Sequence, residues 1–280
     1  MTLARERYSS TVKEKTLFDV LSDVWRAKYF ILIFVILFTF LALIFLSVSN
    51  RFYRAEMIIS PAYPMGYGAA QSVEVPEGSM QIQRSELQSN RAFLKFENTY
   101  KGVSVAGFLL KDREIINGLK FDRRFEFSEG RQNWTAEELS EYISKRVRIG
   151  PVSGTPMRRM TYFHPDKAFA AEMIKRIHRI TDEMIRARIL VSANQRINYL
   201  NTAISTTHNP EHKRNLANLL LEQERLKMMV SLDEAYAASV VEPPAVSSKP
   251  KWPDPYMIYP IFILLGVFLG FIIHGLRHHE

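Results

Sequence analysis

The chain has 280 residues, no cysteine and a net charge of +8. Without cysteine it has neither disulfides nor thiolate metal ligands. No RNP, helix-turn-helix or zinc-finger pattern accompanies the positive charge, so the sequence does not predict a partner among the nucleic acids. The longest apolar runs lie near the two chain ends, which indicates a membrane protein.

The first apolar run covers residues 29–48 and contains no charged residue. Twenty residues of helix span about 30 Å, the thickness of the hydrocarbon core of a bilayer. The run is too long for a signal peptide and no small-residue cleavage pattern follows it, so it predicts a retained transmembrane helix. Before it, residues 1–28 form a cytoplasmic segment in which Thr16 can cap a short amphipathic helix. That helix either lies on the membrane surface or begins the span.

Lysine and arginine predict the orientation of this span. Six of them precede the run, against Arg51 and Arg54 shortly after it. Because positive charge is retained on the cytoplasmic side, the N-terminus is predicted to be cytoplasmic. The middle of the chain is then periplasmic in a Gram-negative cell.

Residues 49–165 predict a mixed α/β base. A strand is indicated where polar and apolar residues alternate up to Pro61, and a loop rich in glycine and proline follows it. Helices are predicted for residues 84–100 and after Thr135, which forms a capping box with Glu138; this interpretation is preferred over a glycosylation site. The segments RVRIGPV and MRRMTYF predict a β-hairpin.

A long helical hairpin is predicted for residues 166–239. Apolar residues recur at helical spacing as far as Ile204, which gives a rod of roughly 60 Å. Asn209 and Pro210 signal a second helix that folds back and continues to about Ala238. His208 and His212 are four residues apart and could hold a metal ion. Since no third ligand is evident nearby, they are interpreted as exposed cap residues and no metal is predicted.

Basic residues on the long helix are candidates for contact with an anionic polymer or a lipid-linked diphosphate. The alternative is a solvated helix face, in which the basic residues alternate with Glu172, Asp182 and Glu183. The candidates are Lys175, Arg176, Arg179 and Arg186.

Residues 240–255, VVEPPAVSSKPKWPDP, form a proline-rich segment. Proline fixes its own backbone angle and disfavours helix at the preceding residue, so the segment predicts an extended, polyproline-like strut that couples the outer domain to the second span. The alternative is a simple linker. The prolines are Pro243, Pro244, Pro250, Pro253 and Pro255.

A second uncharged run covers residues 256–276 and predicts a second transmembrane helix, followed by a cytoplasmic tail at 277–280. Gly266 and Gly270 form a GxxxG pattern, and His274 continues the same face. This pattern predicts close helix packing, either with the first span or with a neighbouring subunit.

The sequence contains no motif of a phosphate loop, nucleophile elbow, zinc-protease helix or dinucleotide fold. We therefore predict no catalytic residue, no cofactor and no enzymatic activity.

Four segments in this order resemble the polysaccharide co-polymerase family, that of the Wzz-type chain length determinants without a fused tyrosine kinase. The segments are TLFDVLSDVWRAKYF, FYRAEMIISP, YFHPDKAFAAEMIKRI and YAASVVEPPAVSSKPKWPDP. One departure is His164, which stands where the family usually has an acidic residue before the proline. A second departure is an outer domain on the short side.

The resemblance implies an α+β membrane protein in which two transmembrane helices flank an extracytoplasmic α/β base with a long projecting helical hairpin. It also implies a ring-like homo-oligomer in the bacterial inner membrane, in contact with membrane lipid. Such a protein sets the length of an O-antigen, capsule or exopolysaccharide. Its implied partners are a separate polysaccharide polymerase and the nascent lipid-linked polysaccharide. Alternatives are a co-polymerase of an ABC-transporter capsule exporter, a two-span sensor without its own output domain, and a membrane-tethered hydrolase.

Overall fold

The computed structural model describes residues 28–62, 80–125, 131, 133–232 and 234–277. The predicted cytoplasmic helix before residue 28, most of the predicted loop after Pro61 and the end of the tail lie outside the described residues. The chain forms two units. One contains the chain ends, up to Ser49 and from Pro253, and the other runs from Asn50 to Trp252.

The first unit contains helix α1 (Lys28–Val48) and, at the far end of the chain, helix α8 (Pro255–Arg277). Both are long and apolar enough to cross a membrane, and they pack along each other. Their outer faces expose large apolar side chains, among them Ile36 and Phe268, which are more than half exposed. Because an apolar surface of this extent is not compatible with water, these faces are suited to lipid. Both apolar runs thus form helices long enough to cross a membrane, as the sequence predicts.

The second unit is built on a four-stranded sheet with the order β2-β3-β1-β4. Each neighbouring pair is antiparallel. The predicted first strand and the predicted hairpin are therefore confirmed. The strands are β1 (Tyr53–Pro61), β2 (Arg148–Pro151), β3 (Arg158–His164) and β4 (Ala238–Val246).

Four helices of 7–20 residues share one hydrophobic core with this sheet. They are α2 (Met80–Thr99), α3 (Val103–Leu109), α4 (Arg113–Leu119) and α5 (Ala136–Arg146). The capping box predicted for Thr135 and Glu138 is formed at the start of α5, with both reciprocal hydrogen bonds. Along β1, Ala55, Met57 and Ile59 are fully buried while the residues between them are half-buried. This alternation places the hydrophobic core between the sheet and the helices.

The predicted helical hairpin is confirmed as α6 (Lys167–Thr206) and α7 (Pro210–Ser231). The 40 residues of α6 extend roughly 60 Å. Asp166 and Asn209 cap the two helices through their side-chain oxygens, and α7 packs back along α6. The prediction that the second helix continues to about Ala238 is wrong. Helix α7 ends at Ser231, because the following backbone is held by α6 and then enters the sheet.

Candidate functional site

The first half of the proline-rich segment is strand β4, so the prediction of a free polyproline-like strut is wrong for these residues. Ala55 is opposite Val246 and Ser60 is opposite Ser239 in the antiparallel pairing with β1. The prediction of extended backbone holds, but hydrogen bonds to β1 fix its position. A simple linker is also excluded here, because a linker has no such partners.

Pro243 and Pro244 lie where β4 departs from regular pairing. Ile58 is opposite Glu242 and Glu56 is opposite Ala245, so two prolines on β4 face the single residue between them on β1. This is a β-bulge on an edge strand, the position at which proline, which has no N–H to donate, is tolerated. Proline also prevents another strand from pairing with this edge. The pair therefore shapes and protects the edge of the sheet.

Beyond β4 the chain continues along β1 as far as Trp252. The Ser247 N–H donates to the Arg54 carbonyl at 2.8 Å. Lys251 and Phe52 are joined by a backbone hydrogen bond of 2.8 Å, and the Phe52 N–H donates to the Trp252 carbonyl at the same distance. The rings of Phe52 and Trp252 meet edge to face, 5.7 Å between centroids. These contacts join the first residues of the second unit to its last residues.

The start of β4 is held by two buried side chains of α6. The Asp182 carboxylate accepts the backbone N–H groups of Tyr236, at 3.1 Å, and Ala237, at 2.7 Å. Nε2 of His178 donates to the Ala238 carbonyl at 2.8 Å. Burial lowers the pKa of His178, although the carbonyl and Asp182 act in the opposite direction. The long helix thus positions the backbone that leads into β4.

The four basic candidates on α6 have different surroundings. Arg176 forms ion pairs with Asp112, Glu114 and Glu172. Arg186 lies 3.5 Å from Asp182 and donates to the Leu232 carbonyl at 2.6 Å.

The other two candidates, Lys175 and Arg179, are exposed, and Arg179 is 3.8 Å from Glu183. Arg176 and Arg186 therefore stabilise the fold through contacts with their own chain. Contact with a polymer stays a prediction, and Lys175 and Arg179 are the two candidates exposed enough to make it.

The GxxxG pattern of α8 lies directly against α1. A Cβ atom on Gly266 would come within 3.0 Å of the Phe34 carbonyl oxygen, and one on Gly270 within 2.8 Å of the Ile31 Cα. These glycines therefore allow the two backbones to approach closely. The ring of His274 lies 5.6 Å from that of Phe30, centroid to centroid.

A buried polar cluster lies beside the start of α6. The Tyr142 hydroxyl is 2.6 Å from Asp122 and 2.7 Å from the Tyr162 hydroxyl, and Arg146 lies 3.2 Å from the Asp122 carboxylate. Burial raises the pKa of both tyrosines. They therefore act as neutral hydrogen-bonding groups between α5 and β3.

His164 ends β3 next to this cluster and is fully buried. Its Nδ1 accepts the Asp166 N–H at 3.0 Å, the hydrogen bond that an Asp or Asn side chain makes in an Asx-turn. The imidazole thus supplies the acceptor that an acidic residue would supply at this position. Burial lowers the pKa of His164, opposed by Asp122 and Asp166.

His208 and His212 are both exposed, near the turn between α6 and α7. Within the described part of the chain, no group of three or more His, Asp or Glu side chains is arranged to hold a metal ion.

Sequence reasoning missed the partners of Asp182, His178 and the buried cluster, because each contact joins residues twenty or more positions apart. The single local signal was the spacing of four between Glu172 and Arg176 and between Asp182 and Arg186, which is typical of helical ion pairs.

The chain was compared with known proteins. A search of curated protein sequences found no match. A solved structure described as a full-length bacterial polysaccharide co-polymerase aligns with 94% of this chain and 98% of its own, at 14% identity and a TM-score of 0.47. The family model Wzz, chain length determinant protein, matches residues 13–101. That match includes α1 and β1, so the first third of the chain is similar to the Wzz chain length determinants.

Proposed function

We propose that the chain is an inner-membrane regulator that sets the length of a surface polysaccharide made by a separate polymerase. The observation that carries the proposal is the Wzz match over residues 13–101. The architecture is consistent with it. In chain order, an α/β unit with a long helical hairpin follows one helix that is long and apolar enough to cross a membrane and precedes another. The polysaccharide belongs to the class of O-antigens, capsules and exopolysaccharides.

In this proposal the chain regulates and does not catalyse. Chain length determinants act on the product of another enzyme, and the sequence contains no catalytic motif of the kinds sought above. The partners are then the polymerase in the same membrane, further copies of this chain in a ring, and the nascent lipid-linked polysaccharide. Lys175 and Arg179 are the side chains we propose for contact with the last of these.

The proposed topology places both termini in the cytoplasm and residues 50–252 in the periplasm. It rests on the excess of lysine and arginine before α1. One cysteine introduced in each region tests it: a membrane-impermeant thiol reagent should label Lys213→Cys in intact spheroplasts and should label Thr11→Cys only after lysis. The chain has no native cysteine to interfere. The reverse labelling pattern would contradict the topology.

Deletion of the gene tests the function. We expect the ladder of polysaccharide lengths on a gel to lose its modal length while the total amount of polymer is retained, and a plasmid copy should restore the mode. An unchanged ladder would contradict the proposal. Polymer retained inside the cell would instead identify a partner of an ABC-transporter exporter.

A further inference from the structure

Four exposed basic residues gather where the second unit begins and ends. Arg51 follows the last residue of α1 by three positions, and Lys251 precedes the first residue of α8 by four. Arg124 is brought to the same place because the Asn50 N–H donates to its carbonyl at 2.9 Å. We call Arg51, Arg124, Lys249 and Lys251 the basic collar.

Within the residues that the structure describes, no ion pair joins a member of the collar to a carboxylate. Asp122, the described acidic residue nearest to Arg124 in the sequence, makes other contacts. Asp122 accepts from Tyr142 and pairs with Arg146.

Asp254 follows Lys251 by three residues and accepts the Tyr256 N–H at 3.0 Å in the first turn of α8. The collar therefore presents exposed positive charge that no described carboxylate of the chain pairs with.

Chain connectivity fixes what lies near this charge. Three residues of extended chain reach about 11 Å and four about 14 Å, so Arg51 and Lys251 cannot lie further than this from the ends of the membrane helices. The headgroup layer on each side of a bilayer is roughly 5–7 Å thick and lies within this distance. Trp252, next to Lys251, is of the residue type enriched at the same level.

We propose that the basic collar binds the phosphate groups of anionic phospholipids in the periplasmic leaflet. Each exposed cation near an anionic surface favours association by about fivefold at low ionic strength. The backbone hydrogen bonds of Asn50 to Arg124 and of Phe52 to Lys251 hold the cations together. The collar therefore draws anionic lipid to the point where both membrane helices join the outer unit. This inference rests on the proposed membrane insertion and topology.

Fluorescence of Trp252 tests the proposal in the full-length protein. Trp25→Phe and Trp134→Phe leave Trp252 as the single tryptophan, since the chain has three. The protein is reconstituted into vesicles that contain brominated phosphatidylglycerol or brominated phosphatidylcholine, and quenching by each lipid gives their relative association constant at the protein. We expect a preference for phosphatidylglycerol of about fivefold or more, which decreases as salt is raised.

Two triple variants distinguish lipid binding by the collar from an effect of the total charge of the protein. Arg51→Gln, Arg124→Gln and Lys251→Gln together should reduce the preference at least severalfold, because Lys249 is the one cation of the collar that remains. The control, Arg196→Gln, Lys213→Gln and Arg214→Gln, removes the same charge from exposed positions on the hairpin and should keep the preference.

Equal quenching by the two lipids in the parent protein would overturn the proposal, as would an unchanged preference in the collar variant. Absence of quenching by either lipid would instead show that the protein is not inserted, and the proposed membrane function would fail with it.

Discussion

The two halves of α6 differ in what they bury. From Phe169 to Ile185, the first half buries six apolar side chains and the polar residues His178, Thr181 and Asp182. From Leu190 onward, buried positions are limited to Ala193, Ile197 and Leu200. Their spacing of four and three is that of a coiled-coil seam. The first half is thus part of a domain core, while the second half is held by one narrow stripe.

The largest effect should come from Asp182, which is 4% exposed and accepts two backbone N–H groups. Asp182→Ala leaves both donors without a partner and removes the carboxylate near Arg186. We expect a loss of about 4–5 kcal/mol in the free energy of unfolding and rapid amide exchange at Tyr236 and Ala237. Thermal unfolding and hydrogen exchange in detergent measure these changes. Asp182→Asn, which keeps an acceptor oxygen, should be milder, and unaltered exchange in the alanine variant would refute the role assigned to Asp182.

Truncation of apolar residues should separate the two halves directly. Ile177 is fully buried and Leu200 is 7% exposed. Ile177→Ala should cost roughly 3–4 kcal/mol, because a cavity remains in a packed core, whereas the stripe around Leu200 can adjust and should lose about 2 kcal/mol. Denaturant titration of the two variants gives the difference. Equal losses would mean that the second half is packed as tightly as the first.

A decrease in pH should destabilise the first half of α6 and leave the second half unchanged. Burial lowers the pKa of His164 and of His178, so between the folded pKa values and about 6.5 the unfolded chain binds more protons. Stability therefore falls as the pH decreases below about 6.5, by at most about 1.4 kcal/mol per pH unit for each histidine. Protonation of His164 at Nδ1 also removes the acceptor of the Asp166 N–H, so this hydrogen bond is lost.

Hydrogen exchange at pH 7 and pH 5 locates this effect. Amides at the start of α6 should exchange relatively faster at pH 5 once the intrinsic pH dependence is removed, and those after Leu190 should not. His164→Asn keeps an acceptor without the titration and should remove part of the difference. If both halves responded equally in the parent protein, the histidines would not be the cause.

The smallest effect is expected at the exposed basic residues of the first half. Lys175→Ala should change the free energy of unfolding by less than about 0.5 kcal/mol, since the side chain is exposed. Arg176→Ala should cost about 1–2 kcal/mol, because Arg176 is 24% exposed and connects α6 to Asp112 at the start of α4. If Lys175→Ala leaves stability intact but shifts the polysaccharide mode, contact with the polymer is supported. An unshifted mode would argue against that contact.

Much of the fold could be predicted from local patterns. Hydrophobic length indicated α1 and α8, alternation indicated β1, and the cap residues Thr135 and Asn209 marked where helices begin. Each of these signals lies within a few residues of its effect. The GxxxG packing could also be predicted, because close approach of a helix requires small residues at this spacing.

The pairing of the proline-rich segment with β1 could not be predicted from local patterns. Proline content indicated extended backbone, but pairing with β1 depends on residues about 180 positions earlier in the chain. The bulge at Pro243 and Pro244 is visible only once that register is known. In the same way, the sequence could show that α6 carries basic residues, but not that Arg176 and Arg186 are engaged by distant groups.

Control of polysaccharide length can be measured as the distribution of chain lengths in a deletion strain that carries either an empty plasmid or this chain. We expect a distribution without a clear mode in the first strain and a restored mode in the second, with similar total polymer in both. The same distribution in the two strains would contradict it.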